Sequence, residues 1–216
     1  MRLILIIYLM LVTFGQEINK PDESFESYLN SFKLMELPLN LDRKATFNLS
    51  KTLYNRYEKD TFIVVRECFS DYIPIDILEN TPFKYFRCIY VLPKKDNFIS
   101  VIIAEDFIYD DEQRKLKLYL INYNEKGNIL DYLEIAGYHI DVSERFVEID
   151  TDLKIRSNAY QFKTHPDKKN LDLAYLKEIC RIYKINKNGA IIEVSETNKE
   201  GYYKGDWKGY SFIKAI

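Results

Sequence analysis

Carboxylates, imidazoles and thiols are the side chains that could carry chemistry in this chain, and their spacing limits what each can do. The densest group of carboxylates is Glu105-Asp106 followed by Asp110-Asp111-Glu112. Their oxygens could hold Ca²⁺, but the ligands do not alternate and the central glycine of a calcium loop is missing. Nor does the run specify a pair of glycosidase carboxylates, since almost any acidic protein offers such pairs. It is read as a solvated hairpin tip. His139, in Ala136-Gly-Tyr-His-Ile-Asp, and His165, in Lys163-Thr-His-Pro-Asp, are the only two histidines. A Ser–His–Asp site would need one of them, yet no Gly-x-Ser-x-Gly or other nucleophile setting is present. His165 is read as a loop residue, and His139 as a turn or packing residue at a strand end. Cys68, Cys88 and Cys180 are three, so at most one bridge can form and one thiol is left over. All three lie in apolar, strand-like contexts, which predicts unpaired buried thiols, with a single disulfide as the alternative. There is no Cys-x-x-Cys and no paired Cys/His, which excludes zinc, and with seven glycines no phosphate loop can be assembled. No catalytic residue, metal ligand or cofactor is assigned.

The C-terminal segment is different. Gly201-Tyr-Tyr-Lys-Gly-Asp-Trp-Lys-Gly-Tyr holds three of the seven glycines, the only Trp and three tyrosines. A glycine-spaced aromatic hairpin can present flat rings with polar tips, which suits stacking on sugars or gripping a peptide. Tyr202, Tyr203, Trp207 and Tyr210 are therefore the candidate binding residues. The competing expectation is that the same rings close one end of a core, because aromatics usually pack inside. The spacing Tyr203-x-Gly205-x-Trp207-x-x-Gly209 resembles a single unit of the MORN repeat. No tandem copies follow it, so the family is not adopted for the chain.

Two kinds of element must position these residues. From Ser24, the residues Phe25, Tyr28, Leu29 and Phe32 recur at i, i+3, i+4 and i+7, one face of a helix with Asp22 or Ser24 as its cap. Pro38 closes the following turn, and a second short helix is expected from about Ser50 to Glu58, with Ser50 as cap. From Thr61 the period becomes two. Strands are expected over Thr61–Phe69, Lys84–Leu92, Phe98–Glu105, Lys115–Tyr123, Asn128–Ala136, Arg145–Ile149, Leu153–Phe162, Glu178–Ile185, Ala190–Ser195 and Lys208–Ala215. Turns at Asn124–Gly127, Asp150–Asp152 and Asn186–Gly189 are too short to join anything but antiparallel neighbours. Leu116, Leu118 and Leu120 face one way and lysines the other, which predicts one wet face. The fold class is α+β: mainly antiparallel sheet built as a meander of hairpins, able to curl toward a half-open barrel, with one or two N-terminal helices packed on it.

The chain begins MRLILIIYLMLVTFG. Arg2, an uncharged apolar run to Phe14, and small residues at Thr13 and Gly15 make the three-part pattern of a signal peptide cut before Gln16. The run is too short to span a bilayer, and no lipoprotein-type cysteine follows it. Residues 1–15 are thus a leader, and 16–216 a single β-rich domain, secreted or periplasmic, with no membrane span once the leader is removed. The 216 residues carry 31 basic and 33 acidic side chains, so no global field draws nucleic acid or anionic lipid. Abundant Tyr, Phe, Lys, Asn and Ile beside scarce Ala and Gly reflect A/T-rich codons as much as function. The sequon Asn48-Leu-Ser50 matters only in a eukaryotic secretory path.

Together these features point to an exported, non-enzymatic binding or interaction protein of the cell envelope, with a protein, peptide or carbohydrate as partner. Two other readings exist. One is an extracytoplasmic hydrolase whose dispersed carboxylates meet only in the fold. The other is an inhibitor or immunity-type protein acting through a loop, Lys163–Leu171 or Tyr109–Arg114.

Overall fold

The computed structural model describes residues 24–54, 62–65, 67–79, 81, 85–108, 114–139, 142–166, 172–206 and 208–215. The leader, Trp207, all but the last residue of the Tyr109–Arg114 loop and the second half of the Lys163–Leu171 loop lie outside them. Among the described residues the architecture is one large mixed sheet, mostly antiparallel and not closed into a barrel, with few helices.

Helix α1 (Phe25–Leu29) starts where the sequence predicts. The Ser24 hydroxyl accepts a hydrogen bond from the Ser27 N–H at 3.1 Å and caps it. Helix α2 does not. It runs Arg43–Tyr54, not Ser50–Glu58, and the Asp42 carboxylate accepts the Ala45 N–H at 2.8 Å. Ser50, expected as a cap, is instead a fully buried residue in mid-helix whose hydroxyl hydrogen-bonds the Tyr138 phenol. Short strands β1 (Lys33–Leu34) and β2 (Leu39–Leu41) lie between the two helices. The expected strand Thr61–Phe69 shrinks to β3 (Ile63–Val64). Its remainder passes into a 3₁₀ turn, Glu67–Tyr72, followed by α3 (Ile75–Leu78).

The meander then follows in chain order: β4 (Phe86–Val91), β5 (Phe98–Ile108), β6 (Arg114–Asn124), β7 (Ile129–His139), β8 (Ser143–Ile149), β9 (Lys154–Phe162), β10 (Ala174–Ile185), β11 (Ile191–Gly205) and β12 (Tyr210–Lys214). Every neighbouring pair in this run is antiparallel, while β1 joins β4 in parallel and β2 adds to β8. The turns at Asn124–Gly127 and Asn186–Gly189 form as predicted. Gly127 and Gly189 take φ of +84° and +86°, a region that L side chains avoid.

Strands β7 and β8 pair only over Gly137–His139 against Ser143–Arg145, then diverge. Val147, Ile149, Ile155 and Tyr183 of β8–β10 thereby enter one apolar cluster with Leu116, Leu118 and Leu120 of β6, together with Leu49 of α2. The other face of β6 is not wet along its length. Tyr119, Ile121 and Tyr123 are buried under Tyr28 of α1, Phe69 of the 3₁₀ segment, Ile73 just after it and Ile77 of α3. Fully burying each such ring or aliphatic chain contributes about 1.5–3 kcal/mol, so these short helical pieces, unstable alone, are held by docking.

Candidate functional site

The C-terminal residues singled out by composition are divided between two faces of the sheet. Tyr202 and Tyr203 are adjacent on β11 and therefore point opposite ways. Tyr203 is fully buried in a third apolar cluster with Phe146, Tyr160 and Leu176. Its hydroxyl donates to Glu178 Oε2 at 3.2 Å, while Tyr160 donates to Glu178 Oε1 at 3.0 Å. Burial first, then the Glu178 charge, pushes both phenols well above their ordinary range. Tyr202 is also buried, 5.4 Å from the Tyr175 ring and 6.0 Å from His165, with the Lys214 ammonium over its face. Both rings are thus buried among neighbouring side chains.

Tyr210, at the start of β12, is half-buried. Its ring centre lies 4.9 Å from that of Tyr160, and the Arg43 guanidinium covers it at 5.0 Å. Arg43 also forms an ion pair with Glu144, Nε–Oε2 3.0 Å, and donates to the Asp206 carbonyl at 3.2 Å. Burial raises the Tyr210 phenol above its usual value, with Glu144 adding to the rise. The first turn of α2 therefore fastens β12 and the loop before it to β8.

That loop borders a cleft of ≈ 250 Å³. Asn40 of β2, Glu148 of β8 and Asn158 of β9 stand on one side, because β2 pairs with β8 and β8 with β9. Phe146 and Tyr160 stand on the same strands and the same face, and Asp206, Lys208, Tyr210 and Ser211 complete the lining. Asp206 shapes its own turn, its Oδ1 accepting the Lys208 N–H at 2.7 Å and the Gly209 N–H at 3.1 Å. Asp42, also at the cleft, caps α2. Two of the three lining carboxylates thus already hold backbone, and only Glu148 is exposed without such a task. No histidine or cysteine is among the described residues that line the cleft. The arrangement offers amide, hydroxyl and carboxylate hydrogen bonds above aromatic rings. Trp207 lies outside the described residues, but both of its neighbours line the cleft.

The other singled-out residues lie apart. Glu105 and Asp106 are not at a solvated tip: they sit in β5 and are only 6% and 8% exposed. Glu105 accepts the Thr81 hydroxyl and the Tyr119 phenol, each at 2.8 Å. Asp110–Glu112 lie outside the described residues. Cys88 is buried, Cys68 and Cys180 are half-buried, and all three are free thiols. His165 flanks the Tyr175–Tyr202 pair, and His139 ends β7. Sequence reasoning missed Tyr160, which lines the cleft, and the Arg43–Glu144 pair, which holds Tyr210 and the Asp206 carbonyl beside it. Alternation did not reveal Tyr160, which shares a strand face with the exposed Arg156 and not with the buried Ile155 and Ser157. No helix of the described residues is long and apolar enough to cross a membrane, and no three His, Cys, Asp or Glu among them could hold a metal. Compared with protein-family models, with curated proteins and with solved structures, the chain matches none.

Proposed function

We propose that this chain is an exported, non-enzymatic binding module of the cell envelope or its exterior, gripping a protein, peptide or carbohydrate at the cleft between the start of β12 and strands β8 and β9. The observation that supports this reading is the make-up of the cleft: Asp42 and Asp206 hold a helix and a turn, leaving the amides of Asn40 and Asn158, the Ser211 hydroxyl, the Lys208 ammonium and the exposed Glu148 carboxylate beside the Phe146, Tyr160 and Tyr210 rings. Such groups suit hydrogen bonding to, and ring contact with, a bound ligand. At ≈ 250 Å³ the cleft falls just below the range of about 300–1,000 Å³ that encloses whole small molecules, which suits one side chain or one sugar ring of a longer ligand. Export rests on the leader pattern of residues 1–15. Affinity capture from the native envelope fraction tests the reading. The wild-type chain should retain a defined protein or glycan, and Trp207→Ala should lose it while keeping the wild-type circular dichroism. Equal capture by both would refute the cleft as the site.

A further inference from the structure

We propose that a second pocket, over Gly137 where β6, β7, β8 and β9 meet, binds a small oxyanion, a carboxylate or phosphate group. The register builds it. Lys115, His139, Ser143 and Gln161 are directly opposite one another across four strands, so their side chains share one face. The neighbouring row on that face is Lys117, Gly137, Arg145 and Ala159. Gly137 and Ala159 are nearly without side chains, which leaves a hollow of ≈ 150 Å³ flanked by the long residues. Gly137 cannot be replaced there: a Cβ would stand 2.2 Å from the Leu116 carbonyl oxygen.

The hollow is rich in donors and poor in acceptors. Lys117 lies 4.0 Å from Glu105 and 3.7 Å from Glu134, and Arg145 holds Glu134 at 2.9 Å. Glu144, also at the pocket, is paired with Arg43. Lys115, His139, Ser143 and Gln161 have no hydrogen bond or ion pair from their side chains among the described residues. Among the described residues, Lys115, Lys117 and Arg145 stand with Glu105 and Glu134, while Glu144 is taken up by Arg43, and the row of unengaged donors adds to that excess of positive charge. An anion held between Lys115 and His139 accepts a charge-assisted hydrogen bond from the lysine ammonium and lies within reach of the imidazole directly across the strands. The size of the hollow selects a small group, well under a drug-sized ligand.

The test is titration of the ¹⁵N-labelled protein with inorganic phosphate and, separately, with acetate, each against sodium chloride at equal ionic strength. The amides of Gly137 and His139 are the reporters. Saturable shifts with phosphate or acetate, absent with chloride, are expected, and the tighter of the two identifies the group bound. Lys115→Ala and His139→Gln should each weaken binding, the lysine change by about tenfold, with the rest of the spectrum preserved. Lys199→Ala, whose ammonium lies over Phe212 on the opposite face, should change nothing. Shifts that never saturate, that chloride reproduces, or that Lys115→Ala leaves at wild-type affinity would overturn the proposal.

Discussion

The Arg43 guanidinium lies 5.0 Å above the centre of the Tyr210 ring, joining the first turn of α2 to the strand that ends the chain. With the Glu144 ion pair, this contact fixes the loop that borders the cleft. Arg43→Ala should destabilise the fold by only about 1 kcal/mol, because the pair is partly solvated. Amide exchange at Asp206–Ser211 should nevertheless accelerate well beyond that seen elsewhere. Uniform acceleration across the sheet would show that Arg43 supports the fold as a whole and not the loop.

Three glycines should respond unequally to alanine. Gly127→Ala and Gly189→Ala meet a positive φ and the side chains of Phe25 and Leu130, which can move, so each should cost about 1–2 kcal/mol in denaturant unfolding. Gly137→Ala meets backbone at 2.2 Å and should not yield a folded protein at all. Equal, mild losses at all three would contradict the register at β6–β7.

The contrast between these hairpins and the N-terminal third shows what the sequence made legible. Asn-x-x-Gly turns between alternating strands are local signals, and both were readable at Asn124–Gly127 and Asn186–Gly189. Helix α2 was misplaced because its inner face includes the buried polar residues Thr46 and Ser50, which a hydrophobic period does not count. Two-residue strands such as β1 and β3 are too short to show alternation, and they exist only because β4 offers them an edge. The covered second face of β6 was hidden for a related reason: Lys115 and Lys117 suggested water, while Tyr119, Ile121 and Tyr123 further along meet the helical pieces. At the cleft, composition singled out the C-terminal segment but not the residues packed against it, since Arg43, Glu144 and Tyr160 arrive from α2 and from distant strands.

Alkaline pH should unfold the protein through its buried phenols. Burial, reinforced by their mutual contact, raises Tyr28, and burial raises Tyr123, both above the ordinary value of 10.0. The native state therefore keeps protons that the unfolded chain releases. Stability should be level below about pH 10 and fall as pH rises beyond it toward the native values. Tyr132, whose phenol donates to Asp76, is pushed up to about 12. Phenolate absorbance after a rapid pH jump should lag behind that of the urea-unfolded chain. Tyrosines titrating together near pH 10 in the folded protein would contradict the packing.

Tyr119→Phe should destabilise by about 1.5–3 kcal/mol, because it withdraws one of two hydroxyl donors from a carboxylate that is 6% exposed. Denaturant midpoints with an unchanged m-value check this. A loss below about 0.5 kcal/mol would mean that water reaches Glu105.

Trp207 is the only tryptophan, so its fluorescence reports on the cleft-side loop with no background from other indoles. Titrating the ligand recovered by affinity capture into the wild-type protein should shift and saturate that emission, with the midpoint moved to higher concentration by Asn158→Ala. A ligand that binds by calorimetry yet leaves the emission unchanged, with equal affinity for Asn158→Ala, would contradict recognition at this cleft.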